Sequence, residues 1–257
     1  LAGDHCQLPP TVKSKEAARL GLEKTLLEKI SERGGPELRA MLETQYRMHD
    51  TIMQFSSGYF YENRLQGDAS VKNTLLWKGD SPENHPFTFI DTAGTGYEEM
   101  FHRESTGLSN PEEARLLLRH LGQWLETTGS ERDAMKKPMR ISIISPYREQ
   151  VERLKKDIPS LDKQENGRVI FRVGTVDGFQ GQEADLVYIS LVRSNDRGDI
   201  GFLRDIRRMN VAITRARMRL VLIGDSATLA GFGFYDKLLD YMQQNALYLS
   251  AWEFQEN

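Results

Sequence analysis

The sequence predicts an α/β fold of three layers, a mainly parallel sheet with helices on both faces. Three observations lead there. Several short strand candidates are apolar throughout, as strands covered on both sides are. Amphipathic helical segments alternate with them, the pattern of a parallel sheet rather than of a meander. The chain of 257 residues is also long enough to bury both faces of such a sheet.

The elements follow in order. Residues 11–43 read as charged helix broken at Gly34-Gly35-Pro36. Residues 45–63 place Met48, Ile52, Phe55 and Tyr59 at helical spacing, and residues 66–86 read as loop. Phe87–Ile90 is a short strand, and the polar, glycine-containing stretch 94–109 reads as a flexible insertion. Asn110-Pro111-Glu112-Glu113 is a helix start, with a capping amide, proline in the first turn and a glutamate three residues after the cap. Ala114, Leu117, Leu118, Leu121, Trp124 and Leu125 then form one face. After a polar connection over 127–139, Ile141–Ile144 is a buried strand. A helix opens near Pro146 with Tyr147, Val151, Leu154 and Ile158 on one side. Val169–Val173 and Leu186–Val192 are strands, 205–217 a helix, Leu220–Asp225 a strand and 235–244 a final helix. No repeat or low-complexity segment interrupts this series.

Composition bounds the function. Hydrophobic residues at 39% and charged residues at 28% describe a globular domain on the polar side. No run of 18 or more apolar residues spells a membrane span. Cys6 is the single cysteine, so no intrachain disulfide forms, and an intracellular, cytoplasmic setting is expected, the nucleus included. The histidines lack metal-ligand spacing, and no metal site is expected from the protein alone. A formal charge of −3 excludes a basic polyelectrolyte, so nucleic-acid contact requires a local patch. One lies between Arg193 and Arg219, where eight arginines face three aspartates. Leu1-Ala2-Gly3-Asp4 reads as a strand entered midway, so a longer parent protein is expected.

The chemistry concentrates in four strings: Gly3-Asp4-His5-Cys6-Gln7-Leu8-Pro9-Pro10, Gln45-Tyr46-Arg47-Met48-His49, Val173 to Glu183 through Gly178-Phe179-Gln180-Gly181-Gln182, and Asn210-Val211-Ala212-Ile213-Thr214-Arg215-Ala216-Arg217. A nucleoside triphosphatase needs a glycine-rich loop with lysine for the phosphates and acids for Mg²⁺. The chain contains neither a Gly-Lys nor an Asp-Glu dipeptide, so it is not expected to hold or hydrolyse Mg-ATP by itself. Guanidinium groups, planar and always charged, suit a transferring phosphoryl group.

In this order the four strings resemble the later motifs of superfamily 1 helicases, in the 5′-to-3′ branch that includes the nonsense-mediated RNA decay helicase and the helicase-nuclease of lagging-strand replication. The resemblance covers roughly 1–12, 44–65 and 140–225. It implies a RecA-like domain, of P-loop NTPase architecture without the P-loop. Residues 1–43 would be the tail of a first motor domain and a linker, and 44–257 the second motor domain. ATP and Mg²⁺ would be held mainly by the absent first domain, and single-stranded DNA or RNA would be the track. Arg47 and Arg215 look like the two arginine fingers, Gln7 like the γ-phosphate sensor, and Glu183 like a ribose contact or an orienter of a finger. Tyr46 would stack near adenine, and Gly181 would let the backbone approach the phosphates. Ser145, Pro146, Tyr147 and Thr175 would touch the nucleic acid. On a continuous helix Arg217 would point about 200° away from Arg215, which makes Arg215 the finger and Arg208 the fallback.

A second reading stays open from the residues: a non-catalytic nucleic-acid-binding or scaffolding module derived from a helicase. Retention of Gln7, Arg47, Glu183 and Arg215 favours the motor. A nuclease lacks support, because no compact cluster of acids with lysine occurs.

Overall fold

The computed structural model describes residues 1–257 apart from 10, 11, 13, 23, 35–39, 166 and 255–257. The chain begins with α1 (Lys15–Ala17), a kinked turn, and α2 (Leu26–Arg33), the latter opened by a reciprocal capping box between Thr25 and Glu28. The expected break begins at Gly34, the residue after α2; Gly35 and Pro36 lie outside the described residues. No strand forms at residues 1–4.

From there the chain runs β1 (Thr44–Gln45), α3 (Asp50–Phe60), β2 (Gln66–Gly67), β3 (Phe87–Asp91), β4 (Met100–His102), β5 (Gly107–Ser109), α4 (Pro111–Thr127), α5 (Gly129–Asp133) and β6 (Met139–Ser145). It continues through α6 (Arg148–Glu165), β7 (Val169–Thr175), β8 (Ala184–Ser190), α7 (Ile206–Ile213), β9 (Ala216–Gly224), α8 (Ser226–Leu229), α9 (Gly233–Asn245) and β10 (Leu247–Ser250). Six strands form one sheet in the order β10-β3-β9-β8-β6-β7, and each neighbouring pair is parallel. The fold is thus the expected RecA-like α/β sheet.

Side-chain alternation assigns the two faces. Phe87, Phe89, Val187, Ile189, Leu220 and Leu222 pack with Ile52 and Phe55 of α3, Met209 of α7, and Phe234, Leu238 and Met242 of α9. Ile90, Ile141, Ile143, Leu186, Tyr188, Val221 and Ile223 pack with Leu117, Leu121 and Trp124 of α4 and Leu154 and Ile158 of α6. Tyr147 belongs to the interior as well, being 3% exposed.

Four expectations change. The segment 94–109 is not a loose insertion, because β4 and β5 pair as an antiparallel hairpin anchored by Glu99. The edge strand β10 and the short α5 have no counterpart in the sequence reading: α5 is polar throughout, and the short apolar run of β10 follows directly on α9. The helix expected over 205–217 stops at Ile213: the Thr214 hydroxyl bonds the Asn210 carbonyl, and the chain turns into β9 at Ala216. The capping pattern at Asn110 is half realised. Its side chain accepts from the Glu113 amide, but the Glu113 carboxylate turns inward to Ser190 and Val192 instead of back to the cap.

Candidate functional site

Parallel register brings the amino ends of β6, β8 and β9 side by side. Arg140, Asp185 and Arg217 each occupy the second position of their strand. Glu183 immediately precedes β8, and Arg215 immediately precedes β9. Arg47 enters from the turn before α3, held there because the His49 amide donates to the Arg217 carbonyl at 2.8 Å. In that turn the Gln45 side chain accepts from the amides of Arg47 and Met48 and donates to the Met48 carbonyl.

Arg47 and Arg215 meet at Thr214. The Arg47 guanidinium donates from Nε to Glu183 Oε2 at 3.0 Å and from Nη1 to the Thr214 carbonyl at 3.1 Å. The Arg215 guanidinium donates to the Val211 carbonyl at 2.9 Å, the Gln182 carbonyl at 3.0 Å and the Thr214 hydroxyl at 3.1 Å. Arg215 is only 2% exposed, and among the described residues no carboxylate pairs with it. Burial, with the neighbouring charge of Arg47, lowers its pKa to about 10. It remains a cation near neutrality, surrounded by neutral acceptors. Two of its five N–H groups are left beyond the three bonds described.

Glu183 is the local counter-charge. Besides Arg47, Arg217 and Arg140 approach it at 3.6 and 3.7 Å, and both also approach Asp185, at 3.0 and 3.5 Å. Partial burial pushes the Glu183 carboxyl upward, but the Arg47 hydrogen bond and the charges of Arg217, Arg47 and Arg140 outweigh it and leave the pKa lowered. Three guanidinium groups, those of Arg47, Arg140 and Arg217, here surround two carboxylates. The helix-angle argument separating Arg215 from Arg217 fails, since Arg215 sits in a turn and Arg217 in a strand. In the structure Arg215 is buried and Arg217 lies along the carboxylates. Arg208, the fallback, is engaged with Asp205 at 2.7 Å and Asp177 at 3.6 Å.

The first string docks beside this cluster. Gln7 donates to Asp4 at 2.8 Å, the Tyr61 hydroxyl donates to the same carboxylate at 2.7 Å, and Asn210 donates to the Cys6 carbonyl at 3.0 Å. Tyr46 is 68% exposed, and its ring is free to stack. Gly181 has φ +80 with open space where a Cβ would stand, so glycine is required there by backbone conformation.

The remaining expected contacts lie at the opposite, carboxyl ends of the strands. Ser145 is fully buried, and its hydroxyl accepts from the Tyr147 amide. The Tyr147 ring has no free face for a base, because it packs against Phe202 while its hydroxyl accepts from Arg193 and the Phe202 amide. Stacking on Tyr147 is therefore withdrawn; Pro146 and Thr175 are half-buried and retain accessible surface.

Asp4, His5 and Cys6 offer ligand atoms within 4.8 Å of one another. Burial and the Asp4 charge push the Cys6 thiol up to about 11, which opposes the thiolate a metal would need. Sequence reasoning missed Arg140 and Asp185, which only strand register brings into the cluster. It also gave no role to Thr214 and Asn210, although both lie inside the fourth string.

A family model described as an AAA domain matches residues 22–227. The chain belongs to that family, among the superfamily 1 helicases of the nonsense-mediated-decay type. It is 36% identical over 99% of its length to the DNA-binding protein SMUBP-2 of Rattus norvegicus. It is 37% identical over 94% of its length to a Regulator of nonsense transcripts 1 homolog of Drosophila melanogaster, and 36% identical over 94% to an uncharacterized ATP-dependent helicase of Methanocaldococcus jannaschii. The chain spans 25%, 20% and 34% of the lengths of these three superfamily 1 relatives. Among the described residues no helix is long and apolar enough to cross a membrane.

Proposed function

We propose that this helicase domain is the second motor domain of an ATP-dependent DNA or RNA helicase or translocase, that residues 44–257 form it, and that residues 1–43 lead in from a first motor domain. It supplies Arg47 and Arg215 to a nucleotide held chiefly by that first domain, and it does not turn over ATP alone. The observation that carries this reading is the Arg215 guanidinium, buried among neutral oxygens next to a second guanidinium. An interior cation without a carboxylate is costly. A site that receives a phosphate group from outside the domain compensates that cost and places the charge where a transferring phosphoryl needs it.

The residues present suit the phosphates of ATP, which supplies the phosphoanhydride that is cleaved. They do not suit Mg²⁺, since Glu183 and Asp185 are taken up by Arg47, Arg140 and Arg217. In this reading Arg47 and Arg215 stabilise charge on the transferring group, and Glu183 orients Arg47. Gln7 reports the γ-phosphate to the domain, Tyr46 packs on the base, and Gly181 permits close backbone approach. Pro146 and Thr175 face the strand being tracked.

The test is strand-stimulated ATP hydrolysis by the full-length protein beside this chain alone. The full-length protein should turn over ATP faster when single-stranded DNA or RNA is added, and this chain should not turn it over. A full-length protein that binds strands without turnover would instead make the domain a helicase-derived scaffold.

A further inference from the structure

Among the described residues Thr214 is the one that hydrogen-bonds both guanidinium groups, and it does so through different atoms. Its carbonyl accepts from Arg47 Nη1, and its hydroxyl oxygen accepts from Arg215 Nη2, each at 3.1 Å. A hydroxyl has one proton to give, and two carbonyls lie within reach: Asn210 at 2.7 Å and Val211 at 3.1 Å. Donation to the helix leaves the oxygen lone pairs for Arg215. Thr214 is 4% exposed, so water does not substitute for these bonds.

The same residue ends α7, and α7 is fastened to the first string. Fully buried Asn210 donates to the Cys6 carbonyl at 3.0 Å and to the Tyr61 hydroxyl at 2.9 Å, and Tyr61 in turn donates to Asp4 beside Gln7. A continuous hydrogen-bonded line therefore runs from the Gln7 segment through Asn210 and Thr214 to both arginines.

We propose that Thr214 is a positioning residue for phosphoryl transfer, setting the separation and orientation of Arg47 and Arg215 as a pair. This rests on the functional reading above. Valine has nearly the same shape but no hydroxyl, so it should keep the packing and leave one buried N–H of Arg215 without its acceptor. Serine keeps the hydroxyl and loses only a methyl group. Small displacements of a group acting on a transition state are expensive in rate.

The experiment is steady-state, strand-stimulated ATP hydrolysis by full-length wild type, Thr214→Val and Thr214→Ser, with strand Kd and Tm measured on the same preparations. Thr214→Val should lower kcat about 10- to 100-fold, with KM for ATP and strand Kd changed less than about threefold. Thr214→Ser should restore kcat to within about threefold of wild type. In an Arg215→Ala background Thr214→Val should add little further loss, as expected for residues acting as a unit. Parallel loss of kcat, strand affinity and Tm in Thr214→Val, without rescue by serine, would make Thr214 a structural residue and overturn the inference. So would an unchanged kcat in Thr214→Val when the wild type turns over. A wild type with no strand-stimulated turnover would overturn the functional reading itself, and this role with it.

Discussion

Arg193 and Arg215 lie at opposite ends of the same parallel sheet, both almost wholly buried, and they are accommodated in opposite ways. At the carboxyl ends Arg193 forms a two-pronged pair with Glu99 at 2.6 and 3.0 Å and a further pair with Asp199 at 3.1 Å. Glu99 also accepts from the Ser194 amide and the Asn195 side chain, fastening the β4–β5 hairpin to the loop after β8. Even the backbone there is committed. Gly201 has φ +49, and a Cβ would overlap the Arg193 guanidinium. At the amino ends Arg215 has only carbonyls and a hydroxyl, with a second guanidinium adjacent. The first cation completes its own environment, whereas among the described residues no carboxylate pairs with the second. In the proposed reading, the difference separates a charge used to hold a loop from a charge held for a phosphate group.

The comparison breaks if the two arginines respond alike. The largest expected effect is on turnover. In the full-length protein Arg215→Ala should lower strand-stimulated kcat about 1000-fold or more while strand Kd changes less than about threefold. Equal loss of both would refute the finger assignment. Next is Glu99→Ala, which leaves Arg193 with Asp199 and the Tyr147 hydroxyl. Denaturant unfolding should show a loss of about 2–4 kcal/mol, and an unchanged midpoint would mean the carboxyl-end network is dispensable. A smaller effect belongs to Tyr46, which is 68% exposed. Tyr46→Ala should raise KM for ATP by about tenfold, the scale of a lost stacking contact, with Tm unchanged; an unaltered KM removes Tyr46 from the nucleotide site.

The smallest effect is a pH dependence at the carboxyl ends. Burial raises the Glu113 carboxyl from its ordinary 4.5 to about 7, against the hydrogen bonds it accepts from Ser190 and Val192. Between those values the folded chain holds a proton that the unfolded chain has released. The Glu113 contribution is therefore full below pH 4.5, declines as pH rises to 7, and is constant above that. Glu113→Gln cannot ionise, so its Tm relative to wild type should climb by a few degrees (about 2–6 °C) from pH 5 to pH 7.5. A pH-independent difference would mean Glu113 is ionised throughout.

The central strands were legible because β8 and β9 are buried on both faces, which leaves a continuous apolar run in the sequence. The edge strand β10 is half-buried along its length, and its apolar run, Ala246 to Leu249, is short and follows directly on α9. The β4–β5 hairpin is held by a distant ion pair, and composition alone made it look loose. The two arginines were legible as members of strings, but their meeting point was not. The helix on which Arg215 was placed ends two residues before it, through a hydroxyl–carbonyl bond that helical periodicity does not encode. Arg140 and Asp185 come together by register across β6 and β8, a relation between residues 45 apart. Tyr147 shows the converse limit: an aromatic at a strand–helix junction looks like a stacking platform until its burial is known.

The most direct measurement is a structure of the full-length protein bound to a single strand and an ADP–metal fluoride mimic of the transferring phosphoryl group. This account predicts the Arg47 and Arg215 guanidinium groups within about 3 Å of the mimic, with Thr214 between them. The two groups facing different surfaces, or the mimic enclosed while Arg215 keeps only its bonds to Val211, Gln182 and Thr214, would contradict it.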